Sequence, residues 1–396
     1  MTERLYYTDP ALLEFDTEIV ETGRAGDRHY TNLRQSAFYP TSGGQQFDTG
    51  TLNETPVVDV VEDESHEVRH ITEQPVGAVG DHVRGIVDRQ RRRRHRRQHT
   101  AQHILSQSLI RCLGAETVSV HLGEEYGAVE LNREEVSDSD LAEVESFANQ
   151  VVADSLPVKI MFVEGEEIDK LPLRKIPDRS GPLRVIRVGE FDYSACGGTH
   201  CVNTSEVIGI KLVGTEKIRG HLLVKFLSGE QVWEDYDARF RVTNLLSQEL
   251  TCHIEDFPAK FEKLSEENKQ LRKDLAELQK ELLPIKATQL AENVRRIGEH
   301  GLVAEDIGAY DKKGIGQLAG AVAEKANGVA MLYSDGRVVI ATSESSGLDA
   351  GAMAREITTR LGLKGGGNAR QSQLGGATSE QLSECAEIVG RMMGNG

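Results

Sequence analysis

Two pairs of residues in this sequence could do metal chemistry. His99 and His103, in QHTAQHILSQ, stand four apart. On a helix that spacing projects both imidazoles from one face, one turn apart. Cys196 and His200, in SACGGTHC, form a second pair almost a hundred residues later. Three imidazoles and one thiolate are a donor set that a tetrahedral Zn2+ ion accepts. Gly197 and Gly198 allow the second pair a backbone that bulkier residues resist. Four firm protein ligands would make a closed, structural site. Three would leave a position for water or substrate. A zinc protease helix carries a glutamate beside its first histidine. Here Thr100 holds that position and no acid lies between His99 and His103, which speaks against that class.

These residues need elements to hold them. From Arg89 to Leu113 the apolar period is helical, with Ala101, Ile104, Leu105, Leu109 and Cys112 on one stripe. Before it, residues 1–88 read as short strands and turns. Within them FYPTSGGQQFDTGTL carries two tight turns, and its glycines let backbone approach a ligand or another segment closely. After the helix, VSVHLGEEYGAVELN reads as two strands, Ser137 to Ser155 as an acidic helix, and PVKIMFV and PLRVIRVGEF as strands leading into Cys196. VIGIKLVGTEKIRGHLLVKFLSG reads as a hairpin. That succession is α+β. Residues 232–289 read as helix with a break near Pro258. Phe257, Phe261, Leu264, Asn268, Leu271, Leu275, Leu278 and Leu282 recur in steps of four and three. They fit a dimerising coiled coil, with a hairpin against residues 233–254 as the other reading. Residues 290–396 read as a separate α/β domain. Its LKGGGNARQSQLGGAT is a glycine-rich loop that matches neither nucleotide-binding glycine pattern.

Composition narrows the classes. A net charge of −17 argues against a protein that coats nucleic acid non-specifically. Yet RQRRRRHRR, from Arg89 to Arg97, holds seven arginines in nine residues directly before His99. Such a run is either a solvated helix face or a phosphate contact, and its position favours the second. Five irregularly spaced cysteines suggest a reducing cytoplasm with one or two thiols recruited for metal. Cys201 reads as a packed neighbour. No apolar run approaches the roughly 18 residues of a membrane span, and MTERLYYTDP shows no secretory pattern.

HTAQH followed by CGGTH resembles the editing domain of alanyl-tRNA synthetase and its free-standing relatives. FYPTSGGQQFDTG is similar to that family's glycine-glycine-glutamine turn, with Ser42 where the family has a first glycine. At 396 residues there is no room for an ATP-dependent aminoacylation domain, so the likeness is to the long free-standing form, the AlaX-L type. The resemblance implies an N-terminal β-barrel (1–88), a zinc-binding α+β editing domain (89–231), a helical coiled-coil spacer (232–289) and a DHHA1-like α/β domain that binds tRNA (290–396). It implies a hydrolase that deacylates tRNA(Ala) mischarged with serine, and with glycine second. A tRNA-binding protein with a purely structural zinc is the alternative. The implied ligands are His99, His103, Cys196 and His200. His99, His103 and Gln45 would act in catalysis. Gln45, Gly43, Gly44, Ser119, His121, Lys217 and Arg219 would meet the substrate. Arg92, Arg93, Arg96 and Arg97 would touch acceptor-stem phosphates.

Overall fold

The computed structural model describes residues 1–175, 181–310 and 312–394. It is mixed α+β and divides into two compact units, Met1–Leu246 and Ser247–Gly396.

The first unit begins with a small parallel pair, β1 (Glu3–Arg4) on β4 (Gln35–Ser36). A six-stranded closed barrel follows, in the order β2 (Glu14–Ala25), β3 (Arg28–Leu33), β7 (Val68–Thr72), β6 (Thr55–Glu62), β5 (Gly50–Leu52), β8 (His82–Val87). In β8, Val83, Gly85 and Val87 are buried while the residues between them are exposed. That period of two turns one face onto a core of Phe15, Ile19, Leu33, Phe38 and Leu52. A single tight step then leads from barrel to helix. Asp88 caps α1 (Arg89–Leu113), its side chain accepting from the Arg91 N–H, and Gly114 ends the helix in the left-handed conformation.

Against α1 lies a four-stranded antiparallel sheet, ordered β14 (Ile210–Ile218), β15 (His221–Ser228), β10 (Gly127–Leu131), β9 (Thr117–Leu122). A three-stranded sheet, β11 (Val158–Val163), β12 (Leu183–Val188), β13 (Asp192–Ala195), lies in the same unit with α2 (Asp138–Ala153) and the short α3 (Glu166–Asp169). Ile104, Leu105 and Leu109 of α1 share one core with Val129, Leu131, Val144, Ile186, Val188, Val224 and Phe226. The histidine helix is thereby fixed to both sheets. α4 (Glu230–Leu250) leaves the end of β15.

Helix is interrupted after Leu250 and resumes in the second unit as α5 (Phe257–Glu292), so the break falls near Pro258 as the sequence suggests, with Pro258 in the first turn of α5. That unit's six-stranded sheet runs β16 (Arg295–Ile297), β17 (His300–Asp306), β18 (Gly328–Ser334), β19 (Arg337–Thr342), β21 (Gln371–Gly375), β20 (Lys364–Gly367). Only β17 and β18 pair in parallel, joined by α6 (Lys312–Ala326). Alternation splits the sheet between two cores. Val329, Met331, Val338 and Ile340 face α7 (Ala350–Leu361) and α8 (Gln381–Gly394). Ala330, Leu332, Val339 and Ala341 face α6 and the end of α5. The segment read as a glycine-rich loop is a hairpin: β20 and β21 pair from Lys364–Gly375 to Gly367–Ser372. A Cβ on Gly365 or Gly367 would lie 2.1–2.2 Å from a carbonyl of β21, so the glycines serve close backbone approach. Among the described residues no helix is long and apolar enough to cross a membrane.

Candidate metal centre and adjoining cleft

His99 and His103 sit in the buried half of α1, and each is about 3% exposed. Cys196 and His200 lie on the turn that follows β13. One ligand atom from each of the four residues falls within 4.8 Å of all the others. The Cys196 Sγ stands 3.4 Å from His99 Nε2 and 3.3 Å from His200 Nε2.

Each imidazole is held from behind. His99 Nδ1 donates to Gln45 Oε1 at 2.8 Å, and His103 Nδ1 to Asp192 Oδ2 at 3.1 Å. His200 Nδ1 lies 3.3 Å from Thr100 Oγ1. With Nδ1 occupied, each ring presents Nε2, the tautomer a metal ligand needs. The surroundings also favour a thiolate. Burial pushes the Cys196 thiol up, but His99 and His200 outweigh it and hold its pKa well below the ordinary value. His200 is driven well down by burial and its histidine neighbours. His103 is pushed down by burial, yet its bond to Asp192 leaves it raised. Three imidazoles presenting Nε2 beside a thiolate are a donor set that fits a divalent cation such as Zn2+.

The backbone of the second pair is clamped. Arg184 of β12 donates to the carbonyls of Cys196 (2.6 Å), Gly198 (3.0 Å) and Tyr7 (3.0 Å). A Cβ on Gly198 would sit 2.1 Å from His99 Cε1, so only glycine lets the turn close on α1. Gln45 ties the barrel in: its Oε1 accepts from the Thr199 N–H and its Nε2 donates to Thr199 Oγ1, both at 3.0 Å. The Ser42–Gln45 turn has positive φ at Gly43 (56°) and Gly44 (85°). Its Gly44 carbonyl accepts from the Leu122 N–H at 3.0 Å, which fastens it to β9.

Beside the four ligands opens a cleft of about 870 Å³. Gln102, Gln107, Thr117, Val118 and Val120 line it with Tyr39 and the ligand turn, and Arg174 and Lys175 supply its cations. Gln102 Nε2 and Thr117 Oγ1 both donate to Ser106 Oγ, at 2.9 and 2.8 Å. Gln107 Oε1 is buried without a hydrogen-bond partner.

Known proteins share this sequence over nearly its whole length. Alanine–tRNA ligase of Archaeoglobus fulgidus is 32% identical over 99% of this chain and 44% of its own length. The ligase of Methanopyrus kandleri is 31% identical over 99% and 45%, and that of Pyrococcus furiosus 28% over 100% and 44%. The chain is homologous to alanyl-tRNA synthetase. It spans less than half the length of these curated relatives. Residues 183–222 also match the family described as the Threonyl and Alanyl tRNA synthetase second additional domain. That match runs from β12 through the Cys196–His200 turn into β15. The solved C-Ala domain of Aquifex aeolicus alanyl-tRNA synthetase matches at 19% identity over 26% of this chain and 97% of that one, with a TM-score of 0.24, and carries no argument here.

In this alanyl-tRNA synthetase homologue several residues stand elsewhere than the resemblance implied. Gln45 is fully buried behind His99, so it orients a ligand rather than meeting a substrate. Gly43 lines the cleft, while Gly44 packs on the Val120 carbonyl. Ser119 and His121 do not line it. They alternate with Val118 and Val120 on β9, and Ser119 donates to Glu130 instead. Lys217 pairs with Glu135, and Arg219 occupies the exposed β14–β15 turn; neither lines the cleft.

Six of the seven arginines in the run pair with the chain's own acids, and Arg92 alone among them is buried. Arg92 is 1% exposed and ion-paired with the fully buried Asp48, and it also donates to the Pro10 and Ala37 carbonyls. Arg92 therefore cannot reach a phosphate. Arg96 holds the His200 carbonyl at 2.8 Å and reaches Glu206, and Arg97 pairs with Glu230. Arg93 also pairs with Glu230, but its side chain is half exposed. Cys201 is buried, burial pushes its thiol up to about 12, and it is not among the four residues whose ligand atoms converge. Sequence reasoning missed Asp192, Arg184, Thr100 and Arg174. Asp192 and Arg184 flank the CGGTH motif on strands, which was the available signal.

Proposed function

We propose that this chain hydrolyses the ester of mischarged tRNA(Ala) in trans, as a free-standing editing protein of the AlaX-L type. The substrates are Ser-tRNA(Ala) first and Gly-tRNA(Ala) second. The observation that carries the reading is the convergence of His99, His103, Cys196 and His200 beside an open cleft, in a homologue of alanyl-tRNA synthetase.

Those four residues would hold Zn2+ through three Nε2 atoms and one Sγ. A bound zinc ion supplies Lewis acidity, which polarises an ester carbonyl or acidifies water. The chain's own residues do the positioning. Gln45, Asp192 and Thr100 fix the imidazoles. Gln102 and Thr117 offer polar atoms to a serine hydroxyl, while Val118 and Val120 provide apolar wall. A pocket built to hydrogen-bond that hydroxyl disfavours alanine, which would leave those groups unpaired. Gln107 Oε1 is a spare acceptor for a substrate N–H or O–H. Arg174 is held by Asp192 and Ser194, so the exposed Lys175 is the cleft cation suited to the phosphodiester next to the terminal adenosine. The second unit would hold the body of the tRNA.

A second reading is a tRNA-binding protein with structural zinc. It draws on the same four-donor set, which by itself completes a tetrahedral site. Release of labelled amino acid from Ser-, Gly- and Ala-tRNA(Ala) separates the two. Loss of serine with alanine spared supports the hydrolase; tight tRNA binding with no turnover on any substrate supports the binding protein.

A further inference from the structure

The cleft beside the four ligands is longer than an amino acid needs. Along α1 its wall takes in His99, Gln102, His103, Gln107 and Ile110, which share one helical face over about 16 Å. The metal ligands occupy one end. Towards the other, Gln107 stands one turn, roughly 6 Å, beyond His103. Gln102 and Thr117 are both engaged by Ser106. Gln107 Oε1, by contrast, is buried with no hydrogen-bond partner among the described residues. A buried acceptor left unpaired is costly, and a ligand N–H relieves it.

The strand beside it is distorted at the same place. β9 pairs Ser119 with Glu130 and Thr117 with Leu131, so Val118 is an extra residue in a β-bulge. Bulges re-aim side chains, and Val118 lines the cleft while 52% exposed. Ile110, half-buried on α1, adds further apolar surface to the lining. Glu116, next to Thr117 and exposed, brings only acceptor oxygens. This end of the cleft therefore suits a flat apolar ring that carries N–H donors.

We propose that it is a subsite for the terminal adenine of the tRNA, read by Gln107. The proposal rests on the hydrolase reading. In that substrate the amino acid is esterified to the ribose, so an ester held at the metal leaves the base a sugar's width further along. Adenine presents its N6 amine beside a ring-nitrogen acceptor. A glutamine amide matches that pair, with Oε1 accepting and Nε2 donating. Guanine and uracil place a carbonyl where the amine would be, against the acceptors of Gln107 and Glu116. Gln107 is thus a specificity residue that holds the base, one turn away from the reacting atoms.

The test uses the zinc-loaded full chain and tRNA(Ala) carrying serine through a 3′-amide, which resists hydrolysis. The terminal nucleoside is adenosine or purine riboside, which is adenosine without its amine. Equilibrium binding to the wild type is expected to be roughly 5–150-fold weaker for the purine terminus, the range of one two-point base contact. Gln107→Leu should weaken the adenosine terminus comparably and lose nothing further on purine riboside, because the pair is already gone. Its KM for Ser-tRNA(Ala) should rise with kcat little changed, and its zinc content should match the wild type. Equal binding of both termini by the wild type, with serine still released from Ser-tRNA(Ala), would overturn the subsite alone. A purine penalty undiminished in Gln107→Leu would overturn the role of Gln107. Binding of neither terminus, with no serine released, would overturn the hydrolase reading and the subsite with it.

Discussion

The two long helices invert the usual relation between composition and burial. α1 is dense in arginine, histidine and glutamine, yet thirteen of its 25 residues are buried. α5 is dense in leucine, yet of its 36 residues only Ala287 is buried. The difference is one of partners. The buried guanidinium and two of the imidazoles of α1 each meet a specific group: Arg92 meets Asp48, His99 meets Gln45 and His103 meets Asp192. A charge can leave water when its counter-charge and hydrogen bonds are already in place. The leucines of α5 ask only for area, and their own unit supplies it to Leu283 and Leu290 at the end of the helix while Leu264, Leu271, Leu275, Leu278 and Leu282 stay exposed. Hydropathy therefore misleads in both helices, because it prices a residue without its partner.

Breaking the comparison at α1 should give the largest effects. Cys196→Ala is expected to abolish both zinc binding and deacylation, checked by metal analysis and single-turnover assay. Arg92→Met removes the guanidinium from the buried Asp48 and leaves it the Tyr39 N–H and His95, and a broken buried pair costs about 3–5 kcal/mol, read by denaturant unfolding. The same variant has a pH signature. Burial pushes the Asp48 carboxyl up, but Arg92 and His95 outweigh it and hold its pKa below the ordinary value. That contribution to stability is present above the unfolded-state pKa and is lost as pH falls through the depressed folded value. The variant should lose this part of the acid sensitivity.

Asp192→Asn keeps the shape behind His103 but removes the carboxylate, so zinc affinity should fall by about 10–100-fold. On α5, Leu275→Ala should leave the stability of dilute monomer nearly unchanged, whereas Ile104→Ala on α1 should cost about 2–5 kcal/mol. The smallest effect belongs to Arg93→Ala. Its side chain is half exposed, and the change should stay within about 0.5 kcal/mol in thermal unfolding.

The reach of the sequence follows the same division. His99 with His103 and Cys196 with His200 were legible because each pair is local, set by one helical turn or one glycine turn. The hairpin of β14 and β15 was legible for the same reason. The phase of β9 was not. A strand alternates faces, but which set faces the cleft depends on the sheet behind it: Val118 and Val120 line it, and not Ser119 and His121, the pair the family resemblance implies. Nor could sequence give Arg92 its partner, since Asp48 lies 44 residues earlier, brought to α1 only by the pairing of β5 with β8. The arginine run offered two readings, solvated face or phosphate grip, and the fold uses most of it for neither.

The central claim is that the four-residue site makes hydrolysis depend on its metal. The most direct measurement is to strip the protein with a chelator, return Zn2+ in known increments, and follow serine release from Ser-tRNA(Ala). The account predicts that activity returns in proportion to bound zinc and saturates at about one ion per chain, the capacity of one four-donor site. Full activity in zinc-free protein, or none at full occupancy, would contradict it.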